Sequence, residues 1–246
     1  DLILASNVFA HSDRLKEMIK CMLKLLSRKG TIIIEVQYLL NTLKDLTFDN
    51  IYHEHYNYWS LTSLTNFFSQ FNAKIYRVKR INTHGGSIRI YIKKGINIKI
   101  EKNVKSLIKE EEIFGIKKFK TYQNFSKKIS KIRKNVRKNI NKLKKDKKVI
   151  IGYGAPAKAT TSLNFFGLSQ QIDTIFEDNK LKIGKYVPGV KIPIKQKKSL
   201  DNDHCILVLA WNFYKDIKKR NKNLSNNFIN IKELEKPNIE FLKKNY

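Results

Sequence analysis

Residues 51–59 read IYHEHYNYW and bring several groups that can carry protons into nine positions. His53 and His55 flank Glu54, and they are two of only five histidines in the chain. Histidine gains and loses a proton near neutral pH, and a neighbouring carboxylate or phenol can orient it and raise its basicity. The stretch therefore indicates a proton-transfer site, a metal site, or a pair of structural histidines that are hydrogen-bonded where two domains meet.

The spacing of these residues weighs against the metal site. On an extended segment His53 and His55 face one way and Glu54 faces the other. Two histidines on one face could bind a metal ion, but no third ligand stands nearby in the sequence. Because clusters of titratable groups tend to mark functional sites, the pattern favours proton transfer. The purely structural role of the two histidines stays an alternative.

Other polar candidates stand where predicted strands end. The stretch DLILASNVF predicts a buried strand that runs into a loop. Ser6, Asn7 and His11 then lie just past its carboxyl end, where ligands of open α/β sheets bind. His84 lies in the turn THGG between two alternating stretches, where a functional role and plain solvent exposure explain it equally well.

The remaining periodicity predicts an α/β protein of two parts joined by helices. A strand, a helix and the apolar strand TIIIEV form one βαβ unit. A helix over 61–71 and an antiparallel pair over 73–80 and 87–93 follow. Charge blocks between helically spaced apolar residues then predict long solvated helices, and a second α/β unit begins at Val149. The expected divisions are 1–98, 99–148 and 149–246.

The second unit opens with GYGAPA (152–157), which follows a strand and begins a helix, as the phosphate-binding loop G-x-G-x-x-A does. Lys158 adds a cation to the first helical turn. Glu177 and Asp178 close the next strand, where an acid that binds ribose would stand. Against a dinucleotide site, Pro156 removes one N–H donor. The loop therefore predicts an NAD(P)-dependent oxidoreductase or epimerase, or else a glycine turn without a ligand.

The formal charge of +29 would attract anions of many kinds. The excess is mostly lysine spread along the chain with Asn and Ile, which is typical of a composition bias, and no nucleic-acid recognition module stands out. A basic polyanion-binding protein is thus a third hypothesis, and we expect no specific nucleic acid partner. No apolar run approaches the roughly 20 residues that span a bilayer, and two cysteines are too few for a disulfide framework. We expect a cytoplasmic protein without a membrane partner.

Taken together, the motifs resemble those of the SAM-dependent sugar C-methyltransferases, which methylate nucleotide-linked deoxysugars. The matching stretches, in family order, are NVFAHSD, EVQYLLNTL, FDNIYHEHYNYWSL, THGGSIRIY, GYGAPAKATTSLNFFG, GKYVPGVKIPI and LVLAWNF. The resemblance implies an α/β fold with a partial Rossmann-like methyltransferase domain, a helical linker, and a C-terminal Rossmann-like domain that helps hold the sugar nucleotide. It also implies an N-terminally truncated chain, with a zinc-binding segment and the glycine-rich SAM loop upstream. S-adenosyl-L-methionine (SAM) is then the cofactor, and zinc belongs only to that upstream segment.

The resemblance also implies a reaction. The ketone of a 4-keto sugar acidifies the proton at C3, a base removes it, and the resulting carbon nucleophile is methylated. His55 matches the base, and Lys158 with the glycine loop would meet the diphosphate. The full assignment is catalytic His55, Glu54, Tyr52 and His11; cofactor-binding Ser6 and Asn7; substrate-binding His84, Tyr153 and Lys158; and no metal ligand.

Overall fold

The structure is a computed structural model that divides into two compact units. It describes residues 1–83, 85–146, 149–200, 204–224 and 227–237. Unit 1 comprises Asp1–Phe48 and His53–Ser126, and unit 2 comprises Asp49–Tyr52 and Lys127–Tyr246. The helical stretch between the two predicted α/β parts therefore contributes residues to both units.

Unit 1 is built on a four-stranded mixed sheet in the order β1-β2-β4-β3. The β1 strand is parallel to β2, whereas β4 is antiparallel to both β2 and β3. Its strands are β1 (Leu2–Ser6), β2 (Thr31–Gln37), β3 (Ala73–Ile81) and β4 (Ser87–Lys94), and its helices are α1 (Leu15–Leu25), α2 (Leu39–Lys44), α3 (Leu61–Ser69) and α4 (Lys102–Phe114). The parallel pair joined by α1 confirms the predicted βαβ unit, and β3 and β4 confirm the predicted antiparallel pair.

The α3 helix shows how local sequence sets the core of unit 1. Leu61, Leu64 and Phe68 fall on one helical face and are fully buried. Ser60 caps the helix by accepting a hydrogen bond from the backbone N–H of Ser63. The apolar spacing and the serine cap together fix where this helix begins and which face it buries.

The α4 helix is attached to unit 1 by a buried carboxylate. Glu111 is 0% exposed. It accepts hydrogen bonds from the hydroxyl of Tyr38 (2.8 Å) and from the backbone N–H groups of Leu61 (2.6 Å) and Thr62 (2.9 Å). The last two belong to the first turn of α3, where a negative charge is favourable. The α4 helix is therefore packed into the unit and is not solvated on all sides.

Unit 2 is built on a five-stranded parallel sheet in the order β7-β6-β5-β8-β9. The strand order reverses between β5 and β8, and open parallel sheets bind ligands at such reversals. Its strands are β5 (Val149–Tyr153), β6 (Thr174–Phe176), β7 (Ile194–Lys195), β8 (His204–Val208) and β9 (Phe228–Asn230). Its helices are α6 (Ala157–Phe166), α7 (Tyr214–Arg220), α8 (Ile231–Leu234) and most of α5 (Phe119–Lys145).

The α5 helix is an integral part of unit 2 from Lys127 onward. Its apolar face buries Ile132, Val136 and Ile140. The side-chain amide of Asn139, on the same face, donates to the backbone carbonyls of Leu234 (2.9 Å) and Lys236 (2.9 Å). The two sheets and their helices confirm the predicted α/β class, and no helix among the described residues is long and apolar enough to cross a membrane.

Candidate functional site

The loop that follows β1 lies beside residues 53–57, which carry most of the YHEHY motif, and both stretches belong to unit 1. The backbone N–H groups of Tyr56 (2.9 Å) and Asn57 (3.3 Å) donate to the carbonyl of Ala10. The side-chain amide of Asn57 donates to the carbonyl of Ser12 at 2.9 Å. Because these bonds join residues more than forty positions apart, the chain holds the two loops in one fixed register.

Aromatic packing fixes both loops to the core of unit 1. Phe9, two residues before His11, is fully buried, and its ring centroid lies 5.6 Å from that of Trp59 and 6.1 Å from that of Phe68. The carbonyl of Trp59 accepts a hydrogen bond from the backbone N–H of Leu39 at 2.9 Å. The polar residues between these anchors are thereby held by a rigid scaffold, as a functional site requires.

The two loops bring His11 and His55 together. Their ring centroids lie 4.8 Å apart, at an interplanar angle of 59°. His11 Nδ1 lies 2.8 Å from the backbone carbonyl oxygen of Glu54. Since a carbonyl can only accept, Nδ1 carries the hydrogen, and in the neutral ring Nε2 is the atom that can accept a proton. The ring of Tyr58 meets that of His55 edge-on at 6.2 Å.

The expectation that His53 and His55 face the same way is wrong. The backbone turns at His53 and Glu54 and is not extended there. As a result the His53 side chain is 82% exposed, whereas His55 is 8% exposed. His53 Nε2 lies 3.8 Å from the exposed carboxylate of Glu54, an arrangement that contributes little to stability. Glu54 meets His11 through its backbone carbonyl, not through its carboxylate.

Ser6 and Asn7 lie at the carboxyl end of β1, where the sequence placed them. Both side chains are exposed. Asn7 has a φ of 55°, which asparagine tolerates better than most residues, and its N–H donates to the carbonyl of Glu35 at 2.9 Å. This left-handed residue turns the chain off the sheet toward His11. The contact of Ser6 and Asn7 with a cofactor stays a prediction.

Two further predicted residues are Tyr52 and His84. Tyr52, predicted as catalytic, is half-buried and belongs to unit 2. His84, predicted to bind substrate, lies outside the described residues. Within the described part of the chain, no group of three or more His, Cys, Asp or Glu side chains is placed to hold a metal ion.

The glycine loop of unit 2 is occupied by its own chain. Gly154 has a φ of 84°, and its N–H donates to the carbonyl of Phe176 at 2.8 Å. The N–H of Ala155 donates to the carboxylate of Glu177 at 2.8 Å, and Pro156 has no N–H to offer. A carboxylate thus stands where a pyrophosphate would need donors, which speaks against the dinucleotide interpretation of this loop.

Tyr153, predicted to bind substrate, is 2% exposed. Its hydroxyl lies 3.0 Å from the carboxylate of Asp178, to which it donates, and 3.2 Å from Oδ1 of Asn221. Burial, and then the hydrogen bond to Asp178, raises the pKa of Tyr153 to about 12. Lys197 Nζ completes the group, at 3.2 Å from both Asp178 and Asn221. The phenol is therefore held by protein groups, and its contact with substrate stays a prediction.

Lys158, the other predicted substrate ligand of unit 2, has a buried ammonium group. Its Nζ has no hydrogen-bond partner among the described residues and lies 5.1 Å from the ring centroid of Trp211. Burial lowers the pKa of Lys158, while the charge of Asp49 acts in the opposite direction. A buried ammonium without a partner is costly, and such groups are more often kept for function than for stability.

Sequence reasoning missed three residues beside Lys158. The indole N–H of Trp211 donates to the carboxylate of Asp49 at 2.5 Å, and Lys232 Nζ lies 3.9 Å from the same carboxylate. The signal was available for two of them, because Asp49 stands in FDNIYHEHYNYWSL and Trp211 in LVLAWNF. The contact between them spans 162 positions of sequence, which periodicity cannot reveal.

Comparisons with known proteins agree with the motifs. A family profile described as "C-methyltransferase C-terminal domain" matches residues 82–230, which is more than half of the chain. The chain is 32% identical over 221 residues to the C-methyltransferase NovU of Streptomyces niveus, an alignment that covers 88% of this chain and 52% of that relative. The chain thus spans about half the length of the curated relative it matches. On the profile match and this identity, the chain belongs to the C-methyltransferase family.

Proposed function

We propose that this chain forms part of an enzyme that transfers a methyl group from SAM to a carbon atom of a nucleotide-linked 4-keto deoxysugar. The observation that carries the proposal is the pair of His11 and His55, whose rings lie 4.8 Å apart. Family membership supports methyl transfer to carbon, and the motif resemblance supports the sugar nucleotide as substrate. A cytoplasmic setting belongs to the same proposal.

Transfer to carbon requires that a C–H bond first lose its proton. The ketone of the substrate withdraws electrons from the neighbouring C3–H bond, so that a base of ordinary strength can take this proton. His55 accepts it, and the electron pair of the broken bond moves into an enolate. A largely buried imidazole suits this step, because water competes little for the proton at 8% exposure.

His11, Glu54 and Tyr52 assist the base in different ways. The carbonyl of Glu54 fixes the tautomer of His11, so that its Nε2 can accept a hydrogen bond from a substrate hydroxyl or share the transferred proton. Tyr52 supplies a phenol O–H that can donate to the enolate oxygen. Glu54 orients His11 through its backbone, which refines the role predicted for its carboxylate.

SAM, when bound, supplies an electrophilic methyl group. Ser6 and Asn7 fit such a ligand by their position at the carboxyl end of β1 and by the exposed hydroxyl and amide they present. We assign to these two side chains the binding of polar groups of SAM. In unit 2, Lys158 is proposed to meet the diphosphate through its ammonium group and not through the loop N–H groups, which are bonded within the chain. Tyr153 supports the same loop. The strand order of that parallel sheet reverses between β5 and β8, where open α/β sheets bind ligands, which supports this placement.

The test is the substitution His55→Asn in the full-length polypeptide. Methyl transfer to a nucleoside diphosphate 4-keto deoxysugar is expected to fall by roughly two to four orders of magnitude, the usual contribution of a general base. The Kd for SAM, measured by calorimetry, should stay nearly unchanged.

His53→Asn is the matched control, because the same substitution there alters an exposed ring. Unchanged turnover in His55→Asn would remove His55 as the base. Binding of NAD without binding of SAM would overturn the proposed function as a whole and favour the oxidoreductase.

A further inference from the structure

Asp49 is a buried carboxylate in a short turn that leads to Tyr52. It lies in the 3-10 turn Phe48–Asn50 and is 1% exposed. A buried carboxylate costs several kcal/mol unless it is paired or hydrogen-bonded. Partners must therefore offset the cost of burying Asp49, and they come from unit 2, to which Asp49 itself belongs.

The partners of Asp49 come from two distant parts of unit 2. The indole N–H of Trp211 donates to Oδ2 of Asp49 at 2.5 Å. Oδ1 has no hydrogen-bond partner among the described residues and forms an ion pair with Lys232 Nζ at 3.9 Å. Lys232 also pairs with Glu235 at 2.8 Å. Charge-assisted hydrogen bonds of this kind are about twice as strong as neutral ones, and burial keeps water from competing.

Two lysines complete the surroundings of Trp211. The ammonium groups of Lys158 and Lys232 lie 5.1 Å and 5.2 Å from its ring centroid. Cations near the electron-rich ring are favourable, and they draw electron density from the indole, which strengthens its N–H as a donor. The lysines thus support the bond between Trp211 and Asp49 and neutralise the carboxylate.

We propose that Asp49 is the positioning residue for Tyr52, held in place by Trp211. Only two residues, Asn50 and Ile51, stand between Asp49 and Tyr52, so the two Cα atoms can lie no more than about 11 Å apart. Ile51, between them, is 50% exposed and gives the segment little packing of its own. A fixed Asp49 therefore restricts where the phenol of Tyr52 can lie. This inference rests on the proposed function, which assigns Tyr52 to the reaction.

The experiment compares Asp49→Ala, Asp49→Asn and Trp211→Phe in the full-length polypeptide. The position of Tyr52 is followed by the NMR signal of 13C-labelled tyrosine, assigned with Tyr52→Phe. Asp49→Ala and Trp211→Phe should both shift or broaden this signal. They should also lower kcat by roughly 10- to 100-fold, the effect of a misplaced catalytic group, with KM changing less. Asp49→Asn keeps an acceptor for the indole N–H and should restore part of the signal and of kcat.

Asp173→Asn is the matched control, because it neutralises an acid of unit 2 whose side chain is half-exposed. Asp173 forms an ion pair with Lys144, at 3.7 Å. Asp173→Asn should leave the Tyr52 signal and kcat unchanged. If Asp49→Ala does not fold, Trp211→Phe decides, since it removes the N–H donor and keeps an aromatic ring. An unchanged Tyr52 signal and kcat in folded Trp211→Phe would overturn the inference. Full turnover in Tyr52→Phe would instead refute the proposed role of Tyr52, while the NMR signal would still test its link to Asp49.

Discussion

His11 Nδ1 lies 2.8 Å from the backbone carbonyl oxygen of Glu54, and the His11 ring centroid lies 4.8 Å from that of His55. The first distance fixes which nitrogen of His11 carries the hydrogen, because a carbonyl cannot donate. The second brings a second titratable ring within contact of the candidate base. Two residues from loops more than forty positions apart therefore form one chemical unit, and its parts can be separated by mutation.

His11→Asn and His11→Ala separate the two functions of His11. The amide of asparagine can still donate to the carbonyl of Glu54 but offers nothing in place of Nε2, whereas alanine loses both contacts. If Nε2 takes part in the reaction, both variants should lower kcat by more than tenfold, yet by less than the roughly 10²- to 10⁴-fold effect of removing the base. Steady-state kinetics on the full-length polypeptide measure this. Recovery of wild-type kcat in His11→Asn would show that His11 acts only as a structural donor.

Glu111→Ala should destabilise unit 1 strongly. It removes the acceptor of the Tyr38 hydroxyl and of two N–H groups in the first turn of α3, and it leaves these donors buried. The expected loss in the free energy of unfolding is about 3 kcal/mol or more, since each buried unsatisfied group costs about 1–3 kcal/mol. Urea denaturation monitored by circular dichroism measures it. Glu112→Ala is the control, because this neighbouring residue is exposed, and it should change the free energy of unfolding by less than about 0.5 kcal/mol. Similar losses in both variants would contradict the role of Glu111 as a buried acceptor.

Glu111 also shows where the sequence stops being informative. It stands in KEEE (109–112), where its neighbours are chemically identical, and only its long-range partners distinguish it. The α3 helix and the β3–β4 pair were predictable because their signals are local: an apolar face for the helix and strict alternation for the strands. Hydrogen bonds between residues fifty or more positions apart leave no such local signal.

The candidate site likewise contains features that the sequence predicted and features that it did not. The crowding of His53, Glu54 and His55 predicted a proton-transfer site, and the strand end predicted where His11 would stand. The backbone turn at His53 was not predicted, because no glycine or proline marks it, and it reverses the expected orientation of one histidine. The link between Asp49 and Trp211 was also missed, since it depends on tertiary contacts alone.

Lys158→Met should weaken substrate binding without reducing stability. Burial lowers the pKa of Lys158, so the folded state binds this proton less tightly than the unfolded chain does. The charged lysine therefore costs stability at neutral pH, and the cost falls as the pH rises toward 10.5. A methionine fills similar space without a charge. The melting temperature at pH 7 should be equal or higher, while the Kd for the nucleotide sugar increases. The control Lys180→Met, at an exposed position, should change neither the melting temperature nor the Kd. An unchanged Kd for the nucleotide sugar in Lys158→Met would exclude a role for Lys158 in holding substrate.

Tyr153→Phe should remove a component of stability that depends on alkaline pH. Burial, with the bond to Asp178, raises the pKa of Tyr153 from 10.0 to about 12 in the folded state. Between these values the unfolded chain has lost the proton that the folded state keeps, so this contribution is complete below about pH 10 and is lost as the pH rises toward 12. The stability difference between wild type and Tyr153→Phe, measured by urea unfolding, should be largest near pH 8 and shrink above pH 10. Tyr186→Phe is the control, because it alters an exposed ring, and it should show no such trend. A stability difference between wild type and Tyr153→Phe that stays constant from pH 8 to pH 11 would mean that the Tyr153 phenol titrates alike in the folded and unfolded states.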